Sequence, residues 1–423
     1  MVLRVLAMLL VLALLGGLNY FLYRRLIHDV TDSSRARRFG AAVIIALFAF
    51  VPLSRLLPPH PVTRWIALIV MAGWGFGIFT LVALAGVEVV RAAARLRLPQ
   101  PRVRAELSPE VEGLGSIELA GVSIADGASA SLDLAKPGSL LEAAGDVSRR
   151  RFVARATAAG ALFFSGGLST FGTWRAFAPP ALSEFSLRLP GLPKALEGFT
   201  LVQISDLHLG PILQGHFVDE LVSIINSTKP DLVAITGDLV DGAPETLRRY
   251  VARLQGLRSR HGTYFVSGNH DYYSGWERWQ PELERLGFNV LRNRFVSIGD
   301  PGASFDLVGV DDWGTRFGKS DYDLDRATAG RDPARASVLL AHQPNGLELA
   351  AAKHIGLQLS GHTHGGQLFP GTLVGEVIWG DRNAGLCSHQ GTLLYTNRGC
   401  GFVGPPMRVG APPEVAKISL VAG

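Results

Sequence analysis

The sequence predicts a layered α/β domain preceded by membrane-spanning helices. Three nearly uninterrupted apolar runs occupy the first quarter of the 423-residue chain. Beyond residue 190, short apolar runs that suit buried strands alternate with segments of helical periodicity, which is typical of a layered α/β fold. Polar side chains able to bind metal ions follow several of those strands directly. Together these observations predict an anchored α/β domain with reactive groups gathered at the strand ends.

Composition narrows the class of protein. Hydrophobic residues make up 48% of the chain and charged residues 18%, which is apolar for a soluble enzyme. The formal net charge is +5, but the arginines cluster beside the apolar runs and therefore indicate membrane topology rather than a nucleic-acid partner. The two cysteines, Cys387 and Cys400, exclude a disulfide framework or a zinc site built from thiolates. They either form one bridge in an oxidising compartment or remain free thiols.

Residues 1–97 are predicted to form three transmembrane helices. The apolar runs cover residues 2–23, 39–57 and 65–90, and a bilayer-spanning helix needs roughly 20 residues. Buried core helices are the alternative. The basic flanks and the scarcity of polar sequence between the runs favour the membrane.

Arginines orient these helices. The first connection and the stretch after the third run are rich in arginine, whereas the second connection carries only Arg55 and Arg64. Because positive loops stay in the cytoplasm, we expect the N-terminus outside and the third helix to end inside.

Residues 98–147 show no sustained period and are predicted to be a cytoplasmic linker, with a small strand-rich module near 116–134. Residues 148–175 are predicted to form a fourth transmembrane helix. The pattern Ser-Arg-Arg-x-Phe begins at Ser148 and resembles a twin-arginine export signal; an ordinary helix with a basic flank is the alternative. Both interpretations keep the arginines inside and place the following domain outside.

Residues 190–423 are predicted to form the globular α/β domain. Helical periodicity covers residues 217–225 and 245–257. Strands are predicted at 200–205, 231–236, 263–267, 305–310, 337–341, 357–360, 393–396 and 415–421.

Five short motifs follow strands of this domain. They are Asp206-Leu207-His208, Gly237-Asp238, Gly268-Asn269-His270-Asp271, His342 and Gly361-His362-Thr363-His364. Oxygen and imidazole ligands without sulfur suit Mn, Fe or Zn. The candidate ligands outnumber what one ion needs, which indicates two ions sharing a carboxylate, about 3.5–4 Å apart. Gly237 before Asp238 allows the sharp turn that a bridging carboxylate requires.

In this order the motifs resemble those of the calcineurin-like metallophosphoesterase superfamily, over residues 198–420. The resemblance implies a four-layer fold of two facing mixed β-sheets flanked by helices, with the site at the carboxyl ends of the strands. It also implies the ligands of two ions, of which Asp238 would bridge both. The first ion would take Asp206, His208, Asp238 and His364, and the second Asp238, Asn269, His342 and His362.

The resemblance further implies a hydrolase in which a hydroxide between the metal ions attacks phosphorus. His270 would stabilise the transition state or protonate the leaving oxygen, and Asp241 would orient His270. Two divalent ions are the expected cofactors, with Mn first and Fe or Zn as alternatives.

The helices at the N-terminus, the run Gln203-Ile204-Ser205-Asp206-Leu207-His208 and the segment Gly404-Pro405-Pro406-Met407-Arg408 resemble a bacterial membrane-associated branch. Some of its members cleave phosphoesters or pyrophosphates of lipids, including nucleotide-linked glycolipid precursors. We therefore expect a multi-pass protein of the bacterial cytoplasmic membrane with its catalytic domain outside. Its expected partners are the bilayer and a phosphorylated lipid or small-molecule substrate, with no nucleic acid as a specific partner. The alternatives are a broad-specificity extracytoplasmic phosphodiesterase acting on nucleotides and a non-catalytic metal-binding scaffold.

Other residues near the motifs have two interpretations each. The aromatic residues Tyr272, Tyr273, Trp276 and Trp279 are expected to pack in the core, with an aromatic rim facing the membrane as the alternative. Asp311 and Asp312 are expected in a solvated turn, with support of the metal site as the alternative. Arg398 either contacts phosphate or forms a surface salt bridge.

Overall fold

The computed structural model describes residues 2–54, 61–97, 137–314 and 321–423. The predicted strand-rich module near 116–134 lies outside these ranges. The chain divides into two compact units, which are Met1–Gly40 with Ala83–Ala161, and Ala41–Val82 with Leu162–Gly423.

The predicted apolar runs are helical. The helices are α1 (Val2–Tyr23), α2 (Ser34–Ser54), α3 (Pro61–Arg97) and α4 (Pro137–Phe177). Helix α4 therefore begins well before residue 148, inside the predicted linker. Within the described ranges, one helix, Val62–Ala94, is long and apolar enough to cross a membrane by length and composition. The prediction of several spans stays a prediction.

Charged residues at helix ends pair within the first unit. Glu88 of α3 lies 2.8 Å from Arg25, just beyond α1, and 2.8 Å from Arg91. Arg151 of α4 lies 2.6 Å from Asp32, just before α2. The helix ends that the arginine pattern assigns to one side of the membrane thus share ion pairs.

The second unit holds two six-stranded mixed sheets. Its strands are β1 (Ala181–Leu189), β2 (Phe199–Ile204), β3 (Leu232–Thr236), β4 (Thr263–Val266), β5 (Asn289–Val290), β6 (Arg294–Asp300), β7 (Ala303–Gly309), β8 (Ser337–Leu340), β9 (Leu357–Ser360), β10 (Gly385–His389), β11 (Thr392–Thr396) and β12 (Glu414–Ala422). The first sheet has the order β1-β12-β2-β3-β4-β5 and the second β10-β11-β9-β8-β7-β6. Only the pairs β12–β2, β10–β11 and β6–β7 are antiparallel among the pairs described.

Apolar alternation along the strands builds the layers. Leu201 of β2 packs in one core with Phe305 and Leu340 of the second sheet, whereas its neighbour Val202 faces the opposite side. Short helices flank the sheets: α5 (Gly215–Ser227), α6 (Pro244–Val251), α7 (Asn269–Tyr273), α8 (Trp276–Arg285), α9 (Leu324–Ala327) and α10 (Leu347–Ala352). A further helix, α11 (Gly371–Trp379), follows the loop after β9. Two mixed sheets with flanking helices confirm the predicted α/β architecture.

Some expectations change in the structure. The strands β1, β5, β6 and β10 are absent from the sequence prediction. Strand β1 exposes Glu184, Ser186 and Arg188, and neither β1 nor β10 contains a continuous apolar run. Trp276 and Trp279 are each 1% exposed and belong to the core between the first sheet and its helices. The aromatic-rim interpretation is therefore wrong for both indoles. Tyr272 packs partly buried against the same core, whereas Tyr273 is 41% exposed.

Candidate metal centre

The loops after five strands of the two sheets bring the motifs together. Parallel strands present their carboxyl ends at one edge, so side chains that follow them converge. The loops follow β2, β3, β4, β8 and β9 and carry Asp206 and His208, Asp238, Asn269 and His270, His342, and His362 and His364, respectively.

The backbone at this edge is held in unusual conformations. Left-handed φ angles occur at non-glycine residues of the motifs, namely 53° at Asp206, 47° at His208, 51° at Asp238, 73° at His362 and 52° at His364. Such conformations cost about 1–3 kcal/mol each and concentrate at functional sites, where the surrounding fold enforces them. The sequence gives no sign of this strain beyond the adjacent glycines.

The first cluster contains Asp206, His208 and His364, all buried. The Nε2 atoms of His208 and His364 are 3.0 Å apart, and His364 Nε2 lies 3.4 Å from Asp206 Oδ1. Two imidazole nitrogens facing each other at this distance compete for one proton or share one cation.

The second cluster contains Asp238, Asn269, His342 and His362. His342 Nε2 lies 3.2 Å from Asp238 Oδ2, 3.2 Å from Asn269 Oδ1 and 3.3 Å from His362 Nδ1. The same oxygen of Asp238 is 3.8 Å from His208 Nε2 in the first cluster. Asp238 thus stands between the two clusters, where the resemblance expects a bridging ligand.

These spacings fit the donor set of two divalent ions. Donor atoms about 2.1 Å from one ion are roughly 3.0 Å apart at a right angle and roughly 3.4 Å apart at a tetrahedral angle. Five of the donor distances, from 3.0 to 3.4 Å, fall in that range, whereas His208 Nε2 lies farther from Asp238 at 3.8 Å and from Asp206 at 4.0 Å. The donors are nitrogen and oxygen atoms without sulfur, as Mn, Fe and Zn accept.

Buried charges at the site shift the pKa values in opposite directions. Burial alone would lower the pKa of His208, but the carboxylates of Asp241, Asp238 and Asp206 raise it to about 9. Burial would raise the pKa of Asp238, but His342 and His208 hold it well below its usual range. Neighbouring opposite charges thus keep these buried groups ionised, and bound metal ions would supply further positive charge beside the carboxylates.

Asp241 serves two histidines at once. Its Oδ1 lies 2.6 Å from His270 Nδ1 and 3.1 Å from His208 Nδ1. The pair of Asp241 and His270 is brought together as the resemblance implies, whereas the contact with His208 was not anticipated. A carboxylate on Nδ1 leaves the Nε2 lone pair of His208 free for a metal ion.

Asp271 has a supporting role at the site that the sequence does not predict. Its carboxylate is 1% exposed and accepts hydrogen bonds from the backbone amides of Gly268 at 2.8 Å, Asp238 at 3.0 Å and Leu239 at 2.9 Å. It joins the loops after β3 and β4 and so holds Asp238 in place. An acidic residue in the first turn of α7 was the available signal.

Arg408 is a second unanticipated participant. The side chain is 1% exposed, and its Nη2 lies 3.0 Å from His364 Nδ1. Its Nη1 donates to the carbonyl oxygens of His364 at 3.1 Å and Arg398 at 2.8 Å. Burial and the Arg408 charge lower the pKa of His364, which favours the unprotonated form that a metal ligand needs.

Three further residues have different environments from those expected or left open. Asp311 and Asp312 are 2% and 0% exposed, so the expectation of a solvated turn is wrong. Asp312 accepts hydrogen bonds from Gln343, the neighbour of His342, at 3.0 Å. Arg398 forms a 2.8 Å ion pair with buried Glu414, which accounts for its charge without a phosphate.

The cysteines are both free thiols. Cys400 is buried beneath the first motif, where its backbone amide donates to the carbonyl of Ser205 at 2.9 Å, and Cys387 lies on β10.

A cavity of about 420 Å³ opens beside His208, Asp241 and His270. The remainder of its lining is mainly apolar and includes Leu213 from the loop after β2 and Phe402 from the loop after β11, with Ala67 and Met71 from the first half of α3.

Comparison with known proteins places this fold and site in a family. A model of the calcineurin-like phosphoesterase family matches residues 199–366. The chain is 37% identical over 256 residues to an uncharacterized metallophosphoesterase of Helicobacter pylori, which covers 59% of this chain and 67% of that protein. It is 32% identical over 289 residues to the metallophosphoesterase YkuE of Bacillus subtilis, covering 65% of this chain and 98% of that protein.

A vertebrate relative is also similar. The chain is 34% identical over 294 residues to a transmembrane protein with metallophosphoesterase domain of Danio rerio, covering 65% of this chain and 66% of that protein. The chain thus spans about two thirds of the length of the Helicobacter and Danio proteins. Identity across nearly the whole Bacillus protein, on a fold that gathers all five motifs at one edge, shows that the chain belongs to the calcineurin-like phosphoesterase family of metal-dependent phosphohydrolases.

Proposed function

We propose that the chain is a membrane-anchored dinuclear-metal phosphohydrolase that cleaves a phosphoester or pyrophosphate bond of a lipid or cell-envelope intermediate. The observation that carries the proposal is the cavity beside His270. Its reactive end contains His208, Asp241 and His270, and its other walls are mainly apolar. A substrate with a phosphoryl group and an apolar portion would place the phosphoryl group beside the histidines and the apolar portion against the apolar walls.

The two clusters would hold two Mn ions. Asp206, His208 and His364 would bind one, Asn269, His342 and His362 the other, and Asp238 both. When bound, such ions polarise phosphoryl oxygens and lower the pKa of a coordinated water toward neutrality.

The protein residues would then supply orientation and proton transfer. His270 has its Nδ1 fixed by Asp241 at 2.6 Å, so a doubly protonated ring would direct its Nε2 proton toward a leaving oxygen. The amide of His270 donates to Asp238 Oδ1 at 2.8 Å, so the positions of the proton donor and the bridging carboxylate are coupled. Asp271 and Arg408 keep the loops in place.

The position of α3 supports an anchored enzyme with its domain outside the cytoplasm. Arg64, at the beginning of α3, donates to the carbonyl of Ile212 beside the cavity at 3.3 Å. The arginine pattern predicts this end of α3 to be outside, so the catalytic domain would be on the same side. The transmembrane name of the Danio relative agrees with membrane attachment. We propose a multi-pass protein of the bacterial cytoplasmic membrane.

A turnover screen tests the substrate class. The full chain is placed in lipid nanodiscs with Mn and offered envelope lipids with phosphoester or pyrophosphate bonds, and soluble nucleotides in parallel. We expect turnover of at least one lipid and none by Asp238→Asn. Efficient hydrolysis of nucleotides with no lipid turnover would reject the proposal in favour of a scavenging phosphodiesterase.

A reporter fused after Gly423 tests the orientation of the catalytic domain. Cytoplasmic activity of the reporter would contradict the proposed extracytoplasmic position.

A further inference from the structure

Helix α11 carries large apolar side chains on its exposed face. Leu373 is 52% exposed, Val374 53%, Val377 87% and Ile378 66%. These four side chains are here termed the α11 apolar face. A contiguous exposed patch of this kind marks an interaction surface, because a soluble helix normally turns such residues toward a core.

The helix packs on the domain through its smallest residues instead. Gly375 is buried, and an added Cβ there would meet the Asn383 side chain at 2.5 Å. At the beginning of the helix, an added Cβ at Gly371 would come within 2.5 Å of the carbonyl oxygen of Gly366. The fold thus seats the glycine side of α11 and leaves the α11 apolar face outward. This orientation is fixed by close backbone packing.

The segment leading into α11 contacts α3. Leu368 and Met407 form an apolar cluster with Phe79, and the Phe369 amide donates to the Val409 carbonyl at 3.0 Å. The apolar span Val62–Ala94 has 33 residues. At about 1.5 Å per residue it is roughly 50 Å long, whereas the hydrocarbon core needs about 30 Å. The ion pairs of Glu88 mark the inner end of the span, so counting back roughly 20 residues from Glu88 places the outer edge of the hydrocarbon near Leu68. Gly75, where an added Cβ would meet Met407, lies within roughly 10 Å of that edge along the helix.

The α11 helix is also adjacent to the metal centre. The ring of Trp379, its last residue, lies 5.7 Å from the ring of His362. The helix begins shortly after His364 in the chain. A surface that contains α11 therefore brings its partner close to the predicted ligands.

We infer that the α11 apolar face is inserted into the outer surface of the bilayer and holds the metal centre at the level of the lipid head groups. This inference rests on the proposed lipid function and specifies how the substrate arrives. The bilayer is the occupant because the face is next to the segment that contacts α3 near the hydrocarbon edge and because α11 carries one charged residue, Glu376. Exposed Trp174 at the end of α4, 64% exposed, is typical of the same interfacial zone. Interfacial helices insert their apolar face about 5–10 Å deep.

Spin-label accessibility tests the insertion without relying on activity. In a Cys387→Ser background, Val377→Cys is labelled in the full chain in nanodiscs, with Leu349→Cys on α10, itself 47% exposed, as the matched control. We expect the label at position 377 to be shielded from a water-soluble nickel chelate and accessible to oxygen, with the reverse at position 349. Equal exposure of both labels to the chelate would overturn the inference.

Kinetics give a second, independent readout. Val377→Asp combined with Ile378→Asp should lower turnover of a bilayer-resident substrate by about tenfold or more, since burial of two such side chains is lost. Hydrolysis of a soluble chromogenic phosphoester should be unchanged, and Leu349→Asp should affect neither reaction. Equal losses on both substrates would reject the inference. A shielded label in a protein that turns over no lipid would instead keep the insertion and reject the proposed substrate class.

Discussion

Because the Asp241 carboxylate contacts two histidines, we expect its substitution to cause two separable defects, one in kcat and one in Mn affinity. In Asp241→Asn the side chain keeps its shape but loses its charge toward His270 at 2.6 Å and His208 at 3.1 Å. Hydrogen bonds to a charged group contribute about 1.5–3 kcal/mol and neutral ones about 0.5–1.5 kcal/mol. Each bond should therefore lose about 1–1.5 kcal/mol. Since about 1.4 kcal/mol corresponds to tenfold, each loss amounts to roughly 5- to 12-fold in the quantity that it affects.

The two contacts act on different measured quantities. Loss of the His270 contact should lower kcat at saturating Mn by about tenfold, because the proton donor is less well oriented. Loss of the His208 contact should weaken Mn binding by about tenfold, the lower end of the 10- to 100-fold loss that is typical when a partner behind a metal ligand is removed. Mn titrations monitored by steady-state kinetics and by calorimetry measure the two effects separately.

Two variants act as controls. His270→Ala should lower kcat while leaving Mn affinity intact. Asp306→Asn changes another buried carboxylate, which lies on β7 and accepts a hydrogen bond from Arg335 at 3.2 Å. This substitution should alter stability without changing kcat. If Asp241→Asn lowered kcat but bound Mn as tightly as the unchanged protein, the assignment of His208 as a metal ligand supported by Asp241 would be wrong.

Other predictions concern backbone, pH and thiols. Gly237→Ala should destabilise the fold by about 2 kcal/mol or more and reduce Mn binding, because the φ of Gly237 is 87° and a Cβ would lie 2.7 Å from neighbouring atoms. Gly198, at φ 81°, has open space around it, so Gly198→Ala should cost only the strain of the left-handed backbone. Thermal melts of the two variants measure the difference in stability. The pKa of His208 is raised to about 9, so in chelator-treated protein this imidazole is protonated below that pH and must lose its proton to bind metal. Mn affinity should therefore rise with pH and level off near 9, and a flat profile in calorimetric titrations would contradict this. Burial raises the pKa of the Cys400 thiol to about 12, so maleimide should label Cys387 in the folded protein and Cys400 only after unfolding, as counted by mass spectrometry.

The convergence of the five motifs could be predicted from the sequence because each motif is local. Each consists of a few residues directly after a short apolar strand, and parallel strands must bring their carboxyl ends to one edge. Asp206, Asp238 and His342 therefore needed no knowledge of distant contacts to be placed near one another. The same applies to the core strands, whose apolar runs are buried on both faces.

The roles of the supporting residues depended on the tertiary structure. Asp271 binds amides from two loops, and Arg408 reaches His364 from a segment 44 residues later in the chain. Neither contact leaves a periodic pattern, because each pairs a single side chain with groups that only the folded chain brings within reach. The burial of Asp312 has the same origin.

The direction in which apolar residues face was likewise decided by packing. Trp276 and Trp279 follow the reactive loop and are sealed in the core, whereas Val377 and Ile378 belong to an equally apolar helix and point outward. Composition and periodicity predict that a segment is an apolar helix, and its closeness in the chain to a motif places it near the site. Which side meets the domain depends on close backbone approach, such as that at Gly375, and this is a property of the assembled sheets and loops rather than of the segment itself.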